Sequence, residues 1–307
     1  MPGTVNSTRV RQVEPPTRED VRAAERRIRP LLPPTPLLQS DGFALKLETL
    51  QPTGSFKVRG ALAALTALPQ GTHVVTASAG NHGLAVAWTA ERLGLDATVV
   101  VAETASPAKV DALRRSAAEL VVHGDDYDAA ERYAMTLAGR YVSPYNDRDV
   151  IAGNGTVGLE LAHADAIVVP IGGGGLASGV GLATDARVVG VVPAAFPAMR
   201  AALDAGEIVE IAGTRTVADA LHGNIEPGSV TFQLVRHRLE DVVEVTEAEL
   251  EDAMRFLVRE HGLVVEGAGG AAVAALRAGK VLPSGETAAI LTGRNVTAET
   301  LARVLSD

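Results

Sequence analysis

The sequence predicts an α/β protein built on mostly parallel sheets covered by helices. Three observations predict it. Strand-like and helix-like segments alternate along most of the chain. Hydrophobic residues make up 47% of the 307 positions but aromatics only 3%, so the core is built from small aliphatic side chains, as in buried parallel strands. Glycine-rich turns follow several strands, where open parallel sheets present their carboxyl ends.

Each element has its own signal. Residues 1–17 read as a loosely docked arm. A helix starts at Thr17, whose hydroxyl caps Arg18-Glu19-Asp20, and stops before the proline-rich RPLLPPTPL. FALKLETL alternates like a strand, and SFKVRGALAALTAL is a helix opened by Gly54-Ser55. Strand and helix then take turns: HVVTASA and NHGLAVAWTAERLG; ATVVVAE and SPAKVDALRRSA; ELVVHG and DYDAAERYAMTLAGR. Ser106 caps the second of these helices and Pro107 takes its first position. AIVVPI runs into GGGGLASGVGLAT, and RVVGVVP is a further strand. EAELEDAMRFLVREHG is a helix capped by Thr246, TAAILTG the last strand and TAETLARVL the last helix. There is no fixed-period repeat, low-complexity tract or long linker. A second lobe must therefore be an insertion within the first.

Composition removes whole classes of function. The formal net charge is -9 and no dense Lys/Arg cluster exists, which argues against a nucleic-acid footprint. There are no cysteines, so disulfides, thiolate-bound metals and thiol catalysis are excluded. No apolar run approaches the ~20 residues needed to span a bilayer. The polar N-terminus lacks the apolar core of a secretory signal, and a cytoplasmic location is expected.

Four segments carry chemistry. PTGSFKVRGA puts Lys57 at a helix start, where the positive end of the helix dipole lowers an ammonium pKa and favours a nucleophilic amine. A solvated surface lysine looks the same. Gly172, Gly173, Gly174 and Gly175 lie between a buried strand and a helix. Four side-chain-free residues let backbone amides converge on a phosphate. The run is neither GxGxxG followed by an acidic residue nor GxxxxGK[ST], so a dinucleotide fold and an ATP loop are disfavoured. VVTASAGNHG sets Ser78, Ala79, Gly80, Asn81 and His82 at another strand-to-helix junction. Its amides suit a carboxylate and Asn81 suits a phenolic oxygen; an ordinary helix cap fits as well. Thr292 brings a hydroxyl to the carboxyl end of the last strand.

Taken in order, these pieces resemble the fold-type II pyridoxal-phosphate enzymes, nearest the threonine/serine dehydratases (ammonia-lyases) and serine racemases. LETLQPTGSFKVRGA, TASAGNHG, ETASPAKVDALR, HGDDYDAAE, IAGNGTVGLEL, VVPIGGGGLASGV, NIEPGSVTF, LVVEGAGGAAVAAL and ILTGRNV carry the resemblance, over roughly residues 20–305. It implies a fold like tryptophan synthase β, with two open, twisted, mostly parallel sheets flanked by helices. Residues 1–64 and 148–307 would form a large cofactor-binding domain, and residues 65–147 a small, mobile, inserted one. The resemblance gives Lys57 the cofactor Schiff base and the α-proton. It lays Phe56 against the ring and bonds Asn81 to the ring's 3-oxygen. It holds the phosphate on the amides of Gly172 to Gly175 and Leu176, faces Thr292 to the pyridine nitrogen, and holds the substrate carboxylate on Ser78 to His82. The implied reaction is elimination from L-threonine, L-serine or another β-hydroxy amino acid, giving a 2-oxo acid and ammonia. A homodimer is expected.

Some positions depart from the family pattern. Ala79 replaces the serine that transfers a proton in racemases, so dehydration is expected over racemisation. Val192 replaces a glutamate that helps bind a divalent cation in several members; no metal is expected. Asn154 stands for Gln, and Asp219-Ala220 for the usual ADG loop. Arg294 replaces a common Gly; it would bind a distal carboxylate or pair on the surface. His222, near a substrate-facing loop, reads as structural. No appended regulatory domain is expected after ILTGRNV, and a catabolic or specialised role is expected with it. The alternatives are a dehydratase for a specialised substrate such as hydroxyaspartate, a β-replacement synthase, and a non-catalytic cofactor or nucleotide binder.

Overall fold

The computed structural model describes residues 11–306. The first ten residues of the expected N-terminal arm lie outside them. Helix α1 (Arg18–Ile28) starts where predicted, with Thr17 and Asp20 bonding each other's amides. Strands β1 (Leu37–Gln39) and β2 (Ala44–Leu47) follow. FALKLETL is strand only as far as Leu47. Glu48–Leu50 is a tight 3-10 turn that lets the buried Glu48 carboxylate take two N–H bonds from buried Arg59, at 2.7 and 2.8 Å.

From α2 (Lys57–Leu65) the alternation is regular: β3 (Val74–Ala77), α3 (Asn81–Leu93), β4 (Ala97–Val101), α4 (Pro107–Arg114), β5 (Glu119–Val122), α5 (Tyr127–Ala134) and β6 (Arg140–Tyr141). Helix α5 ends earlier than its sequence suggests. Thr136 and Leu137 fold back onto Tyr133 and Ala134, and Gly139, at φ +140°, turns the chain into β6. The second half comprises α6 (Arg148–Glu160), β7 (Ala166–Pro170), α7 (Gly175–Ala183), β8 (Arg187–Pro193), α8 (Ala198–Ala205) and α9 (Val230–Arg238). It ends with β9 (Asp241–Val245), α10 (Glu247–His261), α11 (Gly267–Arg277), β10 (Thr287–Leu291) and α12 (Ala298–Ser306).

The strands form two sheets. One has six strands in the order β1-β2-β10-β7-β8-β9, all parallel except β1 against β2. The other has four parallel strands, β5-β4-β3-β6, and takes all its strands from residues 74–141. Helices α10 and α11 cover one face of the large sheet through Leu250, Met254, Ala271 and Val273. Helices α7, α8 and α9 cover the other through Ala177, Val180, Met199 and Val235. A third core joins α1, α2, α3 and α6. These crossovers bring the carboxyl ends of β7 and β10, and of β3 in the small sheet, to one cleft. Among the described residues no helix is long and apolar enough to cross a membrane.

Candidate active site

That cleft opens into a cavity of about 600 Å³. Lys57 enters it from the first turn of α2. A tight turn precedes the lysine, with Gly54 at φ +74°. Two backbone bonds tie this segment to the end of β10: Phe56 N donates to Thr292 O at 3.0 Å, and Arg294 N to Gly54 O at 2.9 Å. The lysine is thus fixed beside the last strand although 235 positions of numbering separate Lys57 from Thr292 (292 − 57). Its ammonium donates to Pro144 O at 2.7 Å and lies 5.1 Å from the centre of the Phe56 ring. Burial pulls its pKa down to about 8, against a smaller opposing pull from Glu266. Roughly a tenth of the amine is therefore uncharged at pH 7, far more than for an ordinary lysine.

The tetraglycine turn faces the lysine across the cavity. Gly174 has φ +87°, a conformation that a side chain would strain. A Cβ on Gly173 would enter the Tyr145 ring, and one on Gly175 would lie 2.9 Å from Tyr145 Cα. Side-chain-free residues are thus required where the amides of α7's first turn open to the cavity. Such amides, at the positive end of a helix, hold a phosphate.

The SAGNH turn follows β3 in the small sheet. Helix α3 has no side-chain cap and no acidic residue in its first turn, so its leading amides are available to a carboxylate. Gly83 lets the turn close: a Cβ there would collide with Ser78 O. Ser78 Oγ accepts from Gly80 N at 3.2 Å. His82 is buried, its Nε2 lies 3.1 Å from Val142 O, and burial together with Lys57 pushes its pKa down to about 3. It is neutral, with the proton on Nε2. Ala79 lines the cavity beside them and brings no proton donor.

Asn81 is oriented from both sides. Its Nδ2 donates to Glu266 Oε1 at 2.7 Å, and its Oδ1 accepts from Asn295 Nδ2 at 2.6 Å. One Nδ2 proton remains for a ligand oxygen. Thr292 is buried, with Oγ1 donating to Ala268 O at 3.3 Å. The residues singled out in the sequence, Phe56, Lys57, Ser78 to His82, Gly172 to Leu176 and Thr292, all line this cavity.

Glu266, Asn295 and Tyr145 were not singled out. Their places depend on distant segments: Glu266 precedes α11, without capping it, and its carboxylate meets Asn81 from 185 positions away. EGAGG in the sequence held the hint, an acidic residue before a glycine-rich helix start. Arg294 is exposed and does not line the cavity. His222 does line it, exposed and tilted against Phe196 at 4.2 Å between ring centres. The described residues contain no cluster of three or more His, Cys, Asp or Glu that could hold a metal.

The chemistry of the site suits pyridoxal phosphate. A buried amine of lowered pKa, a glycine cradle at a helix start, an oriented amide and a neutral hydroxyl match an aldehyde, a phosphate, a phenolic oxygen and a pyridine nitrogen. The comparisons with known proteins agree. The model of the family described as pyridoxal-phosphate dependent enzyme matches residues 28–293. An L-threonine ammonia-lyase of Thermotoga maritima is 35% identical, over 94% of this chain and 78% of its own length. The catabolic L-threonine dehydratase of Escherichia coli K12 is 38% identical over 82% of each. The crystal structure of the T.th. threonine deaminase superposes with a TM-score of 0.86 at 36% identity, covering 92% of this chain and 99% of that one. The chain belongs to the pyridoxal-phosphate dependent enzymes.

Proposed function

We propose that this enzyme is an ammonia-lyase that dehydrates and deaminates a β-hydroxy amino acid, L-threonine or L-serine, to a 2-oxo acid and ammonia. The observation that carries the reading is Lys57: its amine, with a pKa of about 8, stands in the cavity that the glycine cradle, Asn81 and Thr292 also line. The kinship with threonine ammonia-lyases supports it.

When bound, pyridoxal phosphate supplies an electron sink for the bonds at the substrate's Cα. The protein's own groups do the rest. The amides of Gly172 to Gly175 and Leu176 would hold its phosphate, Phe56 would pack against its ring, and Asn81 would donate to its 3-oxygen. Thr292 would meet the pyridine nitrogen with a hydroxyl, which carries no charge to draw a proton onto it as a carboxylate would. The Ser78–His82 turn holds the substrate carboxylate, and His82 adds no charge. Lys57 takes the proton from Cα; the Cβ–O bond breaks, and the hydroxide leaves with that proton as water, after which one water hydrolyses the released enamine, as its imine, to the 2-oxo acid and ammonia. Ala79, which lines the cavity where racemases carry a proton-transferring serine, has no proton to return to Cα, which favours elimination over racemisation.

The test is an absorbance spectrum of purified wild-type protein and Lys57→Ala, followed by a 2-oxo acid assay on L-threonine and L-serine. A visible band lost in the variant, with oxo acid formed by wild type alone, is expected. A band without oxo acid from either substrate overturns the elimination reading, and no band after adding the cofactor overturns the site.

A further inference from the structure

The charges around the cavity are unevenly matched. Asp128, Asp219 and Glu266 line it, whereas Lys57 and Lys109 are the only lysines or arginines among the described residues that do. Lys57 is the amine the reaction uses. Lys109 is taken: from α4 its ammonium reaches Asp219 Oδ2 at 2.5 Å. Asp219 opens the short turn Asp219–Leu221, so the pair bridges the element following the small sheet's β4 and a loop of the large-sheet side. Its side chains are 36% and 54% exposed, so the pair is reachable from the cavity and from solvent.

We infer that the Lys109–Asp219 pair determines specificity: it admits amino acids with an uncharged side chain and turns away those carrying a second carboxylate. The inference rests on the elimination reading above and names its substrate class. An amino acid spends its own carboxylate on the amides of the Ser78–His82 turn. A second carboxylate finds no unpaired cation on the cavity wall. To pair with Lys109 it must displace Asp219, exchanging one ion pair for another and leaving the Asp219 carboxylate uncompensated. Glu266 is close enough to feel both partners: Asp219 raises its pKa and Lys109 lowers it. The unpaired Asp219 charge would thus fall on a site already rich in carboxylates. A like charge a few ångströms away in a partly wet cleft changes affinity on the order of tenfold. Threonine and serine bring no such charge.

L-Asparagine and L-aspartate test this, because they match in size and differ by one charge. Neither carries a β-hydroxyl, so their binding is separate from elimination. Each is titrated into the holoenzyme and read from the change in the visible band, while 2-oxo acid formation from L-threonine and L-serine is assayed in parallel. Wild type should bind asparagine about tenfold or more tightly than aspartate. Asp219→Asn frees Lys109 and should erase or reverse that preference; adding Lys109→Met should remove the regained aspartate affinity. Lys109→Met alone leaves Asp219 unpaired and should widen the preference, which keeps the test decisive if Asp219→Asn does not fold. Equal binding by wild type, or a preference unmoved in the variants, overturns the inference while threonine turnover leaves the elimination reading intact. A preference that follows the variants in a protein forming no oxo acid overturns the elimination reading and leaves the charge filter standing.

Discussion

Glu266 shows how much of the site hangs on single buried groups. Burial pushes its pKa up to about 7 from an ordinary 4.5, and Asp219 adds to the rise, although the Asn81 N–H bond, Lys109 and Lys57 pull it down. The raised value ties folding to pH. Below about pH 4.5 the carboxyl is protonated in folded and unfolded chains alike. Between about 4.5 and 7 the folded protein keeps a proton that the unfolded chain has lost, so stability falls as pH rises through this window. Glu266→Gln has no such proton, and its amide oxygen can still accept from Asn81. The melting temperature of the Gln variant's apoprotein should therefore gain on that of wild type from pH 4.5 to 7, then hold a constant lead. A gap independent of pH would mean that Glu266 is ionised in the fold. The pattern of what the sequence disclosed is local. Lys57, Asn81, the glycines and Thr292 sit in short motifs at strand–helix junctions, where residue type and position already imply a role. Glu266 and Asn295 acquire theirs only from Asn81, which the fold delivers from far along the chain.

The same division holds for the elements. Strands rich in Val and helices with polar outer faces were legible, and the predicted caps at Thr17, Ser106 and Thr246 are all formed. Helices α6, α8, α9 and α11 and strands β1, β6 and β9 were not marked. In α6 and α11 the reason is physical. Both are buried almost all round, so no amphipathic period remains, and glycines lower their helix propensity. Those glycines serve contact between backbones. A Cβ on Gly155 would lie 2.6 Å from Gly179 O, and one on Gly179 would lie 2.5 Å from Gly155 N and also meet Ile151 O, so α6 and α7 touch main chain to main chain. This contact supports the helix that the tetraglycine turn opens. Gly179→Ala should destabilise by about 1–3 kcal/mol or more, because backbone must move. Gly270, in α11, is a contrast: a Cβ there meets nothing closer than 3.6 Å. Gly270→Ala should leave stability unchanged or raise it by about 0.5–1 kcal/mol. Urea unfolding of both variants checks the signs, and equal losses would refute the backbone-contact account.

At the scale of the whole molecule, the site is divided between two sheets. The tetraglycine turn, Lys57 and Thr292 belong to segments around the large sheet; the Ser78–His82 turn, Asn81 included, follows β3 of the small one. Few direct ties cross between them near the cavity. Lys57 bonds Pro144 O, Asn81 bonds Glu266 and Asn295, the Tyr145 hydroxyl accepts from Glu226 N, and Lys109 pairs with Asp219. Arg11 adds a clasp outside it, pairing with Glu226 while its guanidinium sits 5.1 Å from the Tyr141 ring centre. Partly exposed polar ties of this kind are each worth little; beyond the cores of its own, the small sheet joins the rest through the apolar core that α3 shares with α1, α2 and α6, which can serve as the pivot. We therefore propose that residues 65–147 move as a unit against the rest, and that substrate closes the cleft by engaging the Ser78–His82 turn, excluding water while the α-proton is in transit. The absence of cysteine makes this directly measurable. Spin labels at Arg115→Cys and Glu260→Cys, both exposed positions, report the separation of the two units. Labels at Glu207→Cys and Glu260→Cys lie within one unit and serve as the control. Adding L-asparagine to the holoenzyme should shorten and narrow the first distance distribution and leave the second unchanged. If neither distance responds although the visible band shows binding, the small unit does not close, and the turn must order locally around its ligand.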